Sequence, residues 1–135
     1  MSFYINYAVL MTTYNQLLRH IHKKQSNFVG SPALCSSPQR RGRIKKVYIT
    51  APRKPNSAKR KVAKIFLTTG KHVIAKIAGR GNLPTKFSVV LVRGSGFKDT
   101  PNAKYTIIRG ALECLPLFNK TVRRSIYGIK KEKKS

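Results

Sequence analysis

The sequence predicts an all-β domain in which about five short strands close into a small barrel, preceded by a long arm and followed by a basic tail. Two observations predict it. Between residues 43 and 109 the chain carries five β-branched and aromatic runs, each bounded by Gly, Pro or Asn. Where the runs are cleanest, their apolar residues alternate instead of recurring at helical spacing. So many short strands in so short a stretch suit a closed barrel better than a sandwich.

The elements follow in chain order. Residues 1–11 form an N-terminal extension whose apolar stretch FYINYAVLM (3–11) is far shorter than the ~20 residues that span a bilayer. It lacks the basic residues of a signal or transit peptide and is expected to pack on a neighbour. Residues 12–42 form an extended arm. Thr13 and Gln16 have the spacing of a capping box, and Tyr14, Leu17, Leu18 and Ile21 then recur at helical spacing. This predicts a short amphipathic helix over 13–24, with Arg19, His20, His22, Lys23 and Lys24 on its other side. QSNFVGSPALCSSPQRRG (25–42) has no period and reads as an extended linker ending in a basic cluster.

The barrel is expected over 43–115. Its strands are RIKKVYIT (43–50), KVAKIFLTT (61–69), KHVIAKI (71–77), KFSVVLVR (86–93) and YTIIR (105–109). Val73, Ala75 and Ile77 alternate with His72, Ile74 and Lys76, as a strand with one buried face requires. Thr69-Gly70 marks a tight hairpin. The nearly continuous apolar run from Phe87 to Val92 predicts a central strand covered on both faces. An OB-like barrel is the preferred form, with an SH3-like barrel left open because strand order is not visible in the sequence. Residues 116–135 read as a basic C-terminal tail without an apolar stripe.

Charge bounds the function. The 135 residues carry 29 Lys and Arg against 3 acids, a formal net charge of +26. A compact chain so charged repels itself and calls for a polyanionic partner. With 41% hydrophobic residues it is nonetheless not a charge-driven disordered tail. Catalysis has little to work with: Asp99, Glu113 and Glu132 are far apart in sequence, and no nucleophile elbow or GxxxxGK phosphate loop occurs. His20 and His22, two apart on a helix, point to different faces. Cys35 and Cys114 have no companions at metal-ligand spacing. No enzyme activity, cofactor, metal or small-molecule substrate is expected, and the two thiols suit a reducing compartment.

Two loops carry the binding chemistry. In the first, between strands, Arg53, Lys54, Pro55, Asn56 and Ser57 combine a proline-stiffened backbone with short hydrogen-bonding groups, flanked by Lys59, Arg60 and Lys61. The plain alternative is an ordinary charged turn. The second runs RGSGFKDTPN (93–102), with glycines that permit close backbone approach and with Lys98, Asp99, Thr100 and Pro101. Asp99 either pairs with a neighbouring cation, or buttresses the first loop, or meets RNA through a hydroxyl. In a barrel the two loops would form one tip. Phosphate contacts are expected from Arg40, Arg41, Arg43, Lys45, Lys46, Lys59, Arg60, Lys61, Arg93, Arg109, Arg123 and Arg124. Phe66, Phe87, Phe97, Tyr48 and Tyr105 are candidates for base stacking, although aromatics within apolar runs are more often core; Phe97, between glycine and lysine, is the best placed.

These loops carry a resemblance. The segments NQLLR (15–19), SPAL (31–34), PQRRG (38–42), KKVYIT-P-RKPNSA-KRKVAKI (45–65), SVVLVRGS-FKD-P (88–101), RGALEC (109–114) and RS-YG-K (124–130) resemble the small-subunit ribosomal protein twelve family, from Met11 onward. The resemblance implies an OB-like barrel whose arm threads through small-subunit rRNA, among other small-subunit proteins. It implies further that Lys54, Pro55, Asn56 and Ser57, with Lys98, Asp99 and Pro101, lie beside the mRNA–tRNA decoding site. In that family both loops are linked to translational accuracy and aminoglycoside response, and the aspartate is methylthiolated in some bacterial members. The chain departs from the family where GHNLQEHS is replaced by GNLPTKFS (81–88), where RGGRVKDLPG is replaced by RGSGFKDTPN, and in its first ten residues. Such divergence implies an organellar ribosome, in the mitochondrial matrix, with a bacterial cytoplasm or a plastid as alternatives. Two other classes compete. A free RNA chaperone would show surface aromatic triads, and a cationic membrane-surface protein would need a bulkier amphipathic helix than 13–24 provides.

Overall fold

The computed structural model describes residues 13–19, 30–95 and 98–132. A short helix α1 (Tyr14–Arg19) is followed by a 3-10 turn (Pro32–Leu34) and five strands: β1 (Gln39–Thr50), β2 (Arg60–Leu67), β3 (His72–Ile77), β4 (Val89–Gly94) and β5 (Tyr105–Ile107). One further helical turn, α2 (Arg124–Tyr127), is the last element. The strands close in the order β1-β2-β3-β5-β4, with β4 returning to β1. β3 and β5 run parallel, and the other four pairings are antiparallel. This is the expected all-β, OB-like barrel.

Alternation builds the core. β3 buries Val73, Ala75 and Ile77 and turns His72, Ile74 and Lys76 outward. Ile44, Ile65, Leu67, Val90, Val92 and Ile107 complete an interior that water does not reach. Closure leaves no free sheet edge, which for a chain of this size matters as much as the core itself. The β2–β3 hairpin turns at Thr68–Gly70, where Gly70 N donates to Leu67 O at 3.0 Å and Gly70 takes φ +79°.

Four expectations are corrected. β1 begins at Gln39, not at residue 43, because Gln39–Arg43 pair with Val89–Arg93. The cluster Arg40, Arg41 therefore belongs to a strand. Gly42 within it is required sterically, since a Cβ would lie 2.5 Å from Ile65 Cγ2. β4 begins at Val89, not at residue 86. Phe87 sits in a turn at φ +69° and is 62% exposed, and β4 buries Val90 and Val92 while Leu91 stays half-buried. Apolar composition alone hid that turn. The described arm is docked rather than merely extended: Ala33 and Leu34 enter the core, Ala33 N donates to the Tyr105 hydroxyl at 3.1 Å, and Thr69 Oγ1 donates to Ala33 O at 3.0 Å. Tyr105 is thus core and not a stacking surface. Lastly, the C-terminal segment folds back: Leu117 is buried, and its N–H donates to Tyr127 O at 3.1 Å.

In α1, Tyr14 and Leu18 are exposed, as a stripe meant for another surface would be. Residues 1–12, the rest of the expected helix (20–24, with His20 and His22), and Phe97 lie outside the described residues.

Candidate nucleic-acid interface

The first loop spans residues 51–59 between β1 and β2, and the second spans 95–104 between β4 and β5. In OB barrels these two connections are the ones that reach oligonucleotides. Here they are tied together. Arg53 N donates to Asp99 O at 3.0 Å, and Asn56 N donates back to Arg53 O at 3.0 Å, closing a turn around the cis Lys54–Pro55 bond. The Asp99 carboxylate then grips the first loop and the strand that follows it. Asn56 Nδ2 donates to Oδ1 at 2.7 Å, and Arg60 Nε donates to Oδ2 at 2.9 Å. The Arg60 hydrogen bond, and after it that of Asn56, holds the Asp99 carboxyl below the usual carboxylate range. Of the readings open at the sequence level, pairing with a cation and buttressing the first loop are both realised, in one side chain.

The tether leaves Arg53, Lys54, Pro55, Asn56, Ser57 and Lys59 exposed at the tip, with Lys98 and Pro101 exposed on the second loop. Thr100 departs from expectation. It is buried beneath the loop, and its Oγ1 has no hydrogen-bond partner among the described residues. Its backbone carbonyl instead accepts from Ala103 N at 3.4 Å. Between the arm and the second loop lies an open groove of about 820 Å³, lined by Ser31, Leu34, Arg53, Lys98, Pro101 and Lys104. The arm fits there because Gly94 has no side chain: a Cβ would collide with Ser31 Oγ.

The cations expected to meet phosphate divide into two groups. Arg41, Arg43, Lys45, Lys46, Arg93 and Arg123 are exposed around the barrel, and Arg40, Arg60, Lys61 and Arg124 are half-buried. Arg40 Nε also donates to Leu34 O, steadying the arm. Arg109 does not belong with them. It is 3% exposed, and its guanidinium donates to the carbonyls of Ala78, Asn82, Leu115 and Gly81 at 2.6–3.1 Å. Its guanidinium ties together two separated stretches of chain, 78–82 and 115, so in this structure it is engaged in holding the fold. Nothing in the sequence separated it from the other arginines except its place at the end of the apolar run YTII (105–108).

The acids give a matching account. Asp99 serves the tip, and Glu113 Oε2 accepts from Val89 N at 2.6 Å. With two of its three carboxylates engaged internally, the surface presents cations almost unopposed. No helix among the described residues is long and apolar enough to cross a membrane.

The family model described as Ribosomal protein S12/S23 matches residues 27–135, a span that takes in every strand, both tip loops and the C-terminal turn. The chain therefore belongs to the ribosomal protein S12/S23 family, structural constituents of the small ribosomal subunit that work bound to rRNA and other ribosomal proteins.

Proposed function

We propose that this chain anchors its barrel in small-subunit rRNA through the cations around β1, β2 and the C-terminal segment, and presents the tethered double loop to the decoding (A) site, where it supports translational accuracy. The carrying observation is the Asp99 tether, which holds Asn56 of the first loop and Arg60 at the start of β2 from the second loop. A tip held in this way keeps one shape, so it can favour one arrangement of neighbouring RNA over another. Only such a difference between two states shifts the balance between them. On this reading Arg53, Lys54, Pro55, Asn56 and Ser57, with Lys98 and Pro101, face the RNA. Asp99 acts from behind them.

Lys54 is exposed and lies outside the tether, which makes it the test residue. Lys54→Ala is expected to change the misreading rate severalfold while the variant still enters small subunits at wild-type yield. Replacing Arg123 and Arg124 together is expected to do the reverse. A Lys54 variant that assembles normally and decodes with unchanged error defeats the accuracy reading.

The organellar placement, in a mitochondrial ribosome, is supported by the divergent segment 81–88 and by the ten residues before Met11. Fractionation with an antibody to the native chain tests it. Co-purification with mitochondrial small subunits is the expected result, and recovery in plastid or bacterial cytoplasmic ribosomes overturns it.

A further inference from the structure

Phe66 stands on the unexpected side of its strand. Its neighbours Ile65 and Leu67 are fully buried, whereas Phe66 remains 41% exposed on the outer face of β2. Across the β2–β3 ladder it is paired with His72, also exposed, with the ring centroids 4.9 Å apart and the planes at 44°. Across the β1–β2 ladder it faces Arg43. The bulge between Ile44 and Lys46 takes Lys45 out of register, and Lys45 Nζ comes to 5.4 Å from the Phe66 centroid. Lys64, two residues back on the same face, is exposed as well. The first acid in the sequence is Asp99, so β1, β2 and β3 bring no carboxylate to this surface.

A single exposed aromatic needs no explanation. A paired aromatic inside a ring of cations without acids is different, because each component matches one part of a single-stranded nucleotide. The π-face matches a base, and the cations match the phosphates on either side. A protein neighbour that covered Phe66 would also have to bury Arg43, Lys45 and Lys64, at a desolvation cost that an apolar surface does not return. His72 contributes as a neutral ring: partial desolvation, then the charges of Lys45 and Lys64, hold its pKa below the ordinary histidine value.

We propose that Phe66 and His72 form a stacking platform for one unpaired RNA base, with Arg43, Lys45 and Lys64 holding the adjoining phosphates. Lys45, a compact cation on a flexible stem, yields the ring face to the base and moves to a phosphate. Phe66 lies six residues along β2 from Arg60, roughly 20 Å at the rise of an extended strand. The platform is therefore separate from the tip and does not depend on the decoding reading.

The test uses the full chain and a short single-stranded RNA carrying one 2-aminopurine, whose fluorescence is quenched on stacking. The native chain is expected to bind and quench. Phe66→Leu is expected to bind roughly ten-fold more weakly, in line with the loss of one base–aromatic stack, to lose most of the quenching, and to keep its salt dependence because the phosphate contacts remain. Phe66→Tyr should restore both, and since the side chain lies outside the core, thermal melting should be unchanged in each variant. The quenching assay reads the platform and the misreading assay reads the tip, so that failure here and failure of the decoding reading are told apart. Unchanged affinity and quenching in Phe66→Leu overturn the platform. So does a Phe66→Leu variant that binds the RNA normally but loses a neighbouring protein from assembled subunits.

Discussion

Asp99 shows how one side chain can set the form of a functional surface while staying behind it. Its carboxylate is satisfied by Arg60 and Asn56, and its pKa is depressed because those bonds favour the charged form. A depressed carboxylate stabilises the folded arrangement fully above its unfolded pKa of ~3.9, and that contribution is lost as the pH falls through the lower, folded value. The tether should accordingly be insensitive to pH from 8 down to about 5 and release only in strong acid. The Asn56 side-chain amide resonances should report this in an NMR titration, and in Asp99→Ala they should already sit at their released positions at neutral pH. Because the site is open to water, the expected consequence is a loosened tip with little change in melting temperature. The sequence made Asp99 conspicuous as a rare acid among cations. It did not say that the same residue would satisfy two partners some forty positions away, one in a loop and one at the start of a strand, because that depends on which barrel end each loop leaves.

At the scale of elements, alternation made β2 and β3 readable almost to their ends, and the turn at Thr69-Gly70 followed from residue type. The misreadings have a common physical source: tertiary pairing that local pattern does not encode. β1 extends back to Gln39 because β4 pairs with it, although Gly42 is a poor strand former and Arg40 and Arg41 are neither β-branched nor aromatic. Phe87 looked like the first residue of a buried strand and is instead held in a left-handed turn, its N–H donating to Ile44 O at 2.8 Å. The C-terminal segment, which lacks an apolar stripe, docks by backbone proximity. Gly128 takes φ +71°, and a Cβ there would stand 2.6 Å from Arg109 O. Gly128→Ala combines the left-handed penalty of about 1–2 kcal/mol with that collision. It is expected to lower stability by about 2 kcal/mol or more and to free α2, seen as faster protease cleavage after residue 120. A comparable loss from Gly70→Ala, where a Cβ meets nothing within 4 Å, would show that the collision contributes nothing.

At the scale of the whole molecule, the net charge of +26 governs behaviour more than any single contact. Cations neutralising RNA phosphates release counterions, so binding should weaken steeply with salt. With six to ten contacts, affinity is expected to fall on the order of a thousandfold or more between 50 and 200 mM salt, measured by filter binding to small-subunit rRNA. The Arg123, Arg124 double variant should flatten the logarithmic slope by about 1–2, and an unchanged slope would remove that pair from the RNA-facing set. The barrel also has a temporal side. β5 fills the gap between β3 and β4, and its Tyr105 hydroxyl is what Ala33 N reaches. During synthesis from the N-terminus, the cylinder stays open until residue 107 has left the translating machine, and before then the arm is held only by contacts such as those of Arg40 with Leu34 and Thr69 with Ala33. A nascent chain thus completes the mooring of Ala33, through the Tyr105 hydroxyl, only when the last and shortest strand slots in, late in its own production.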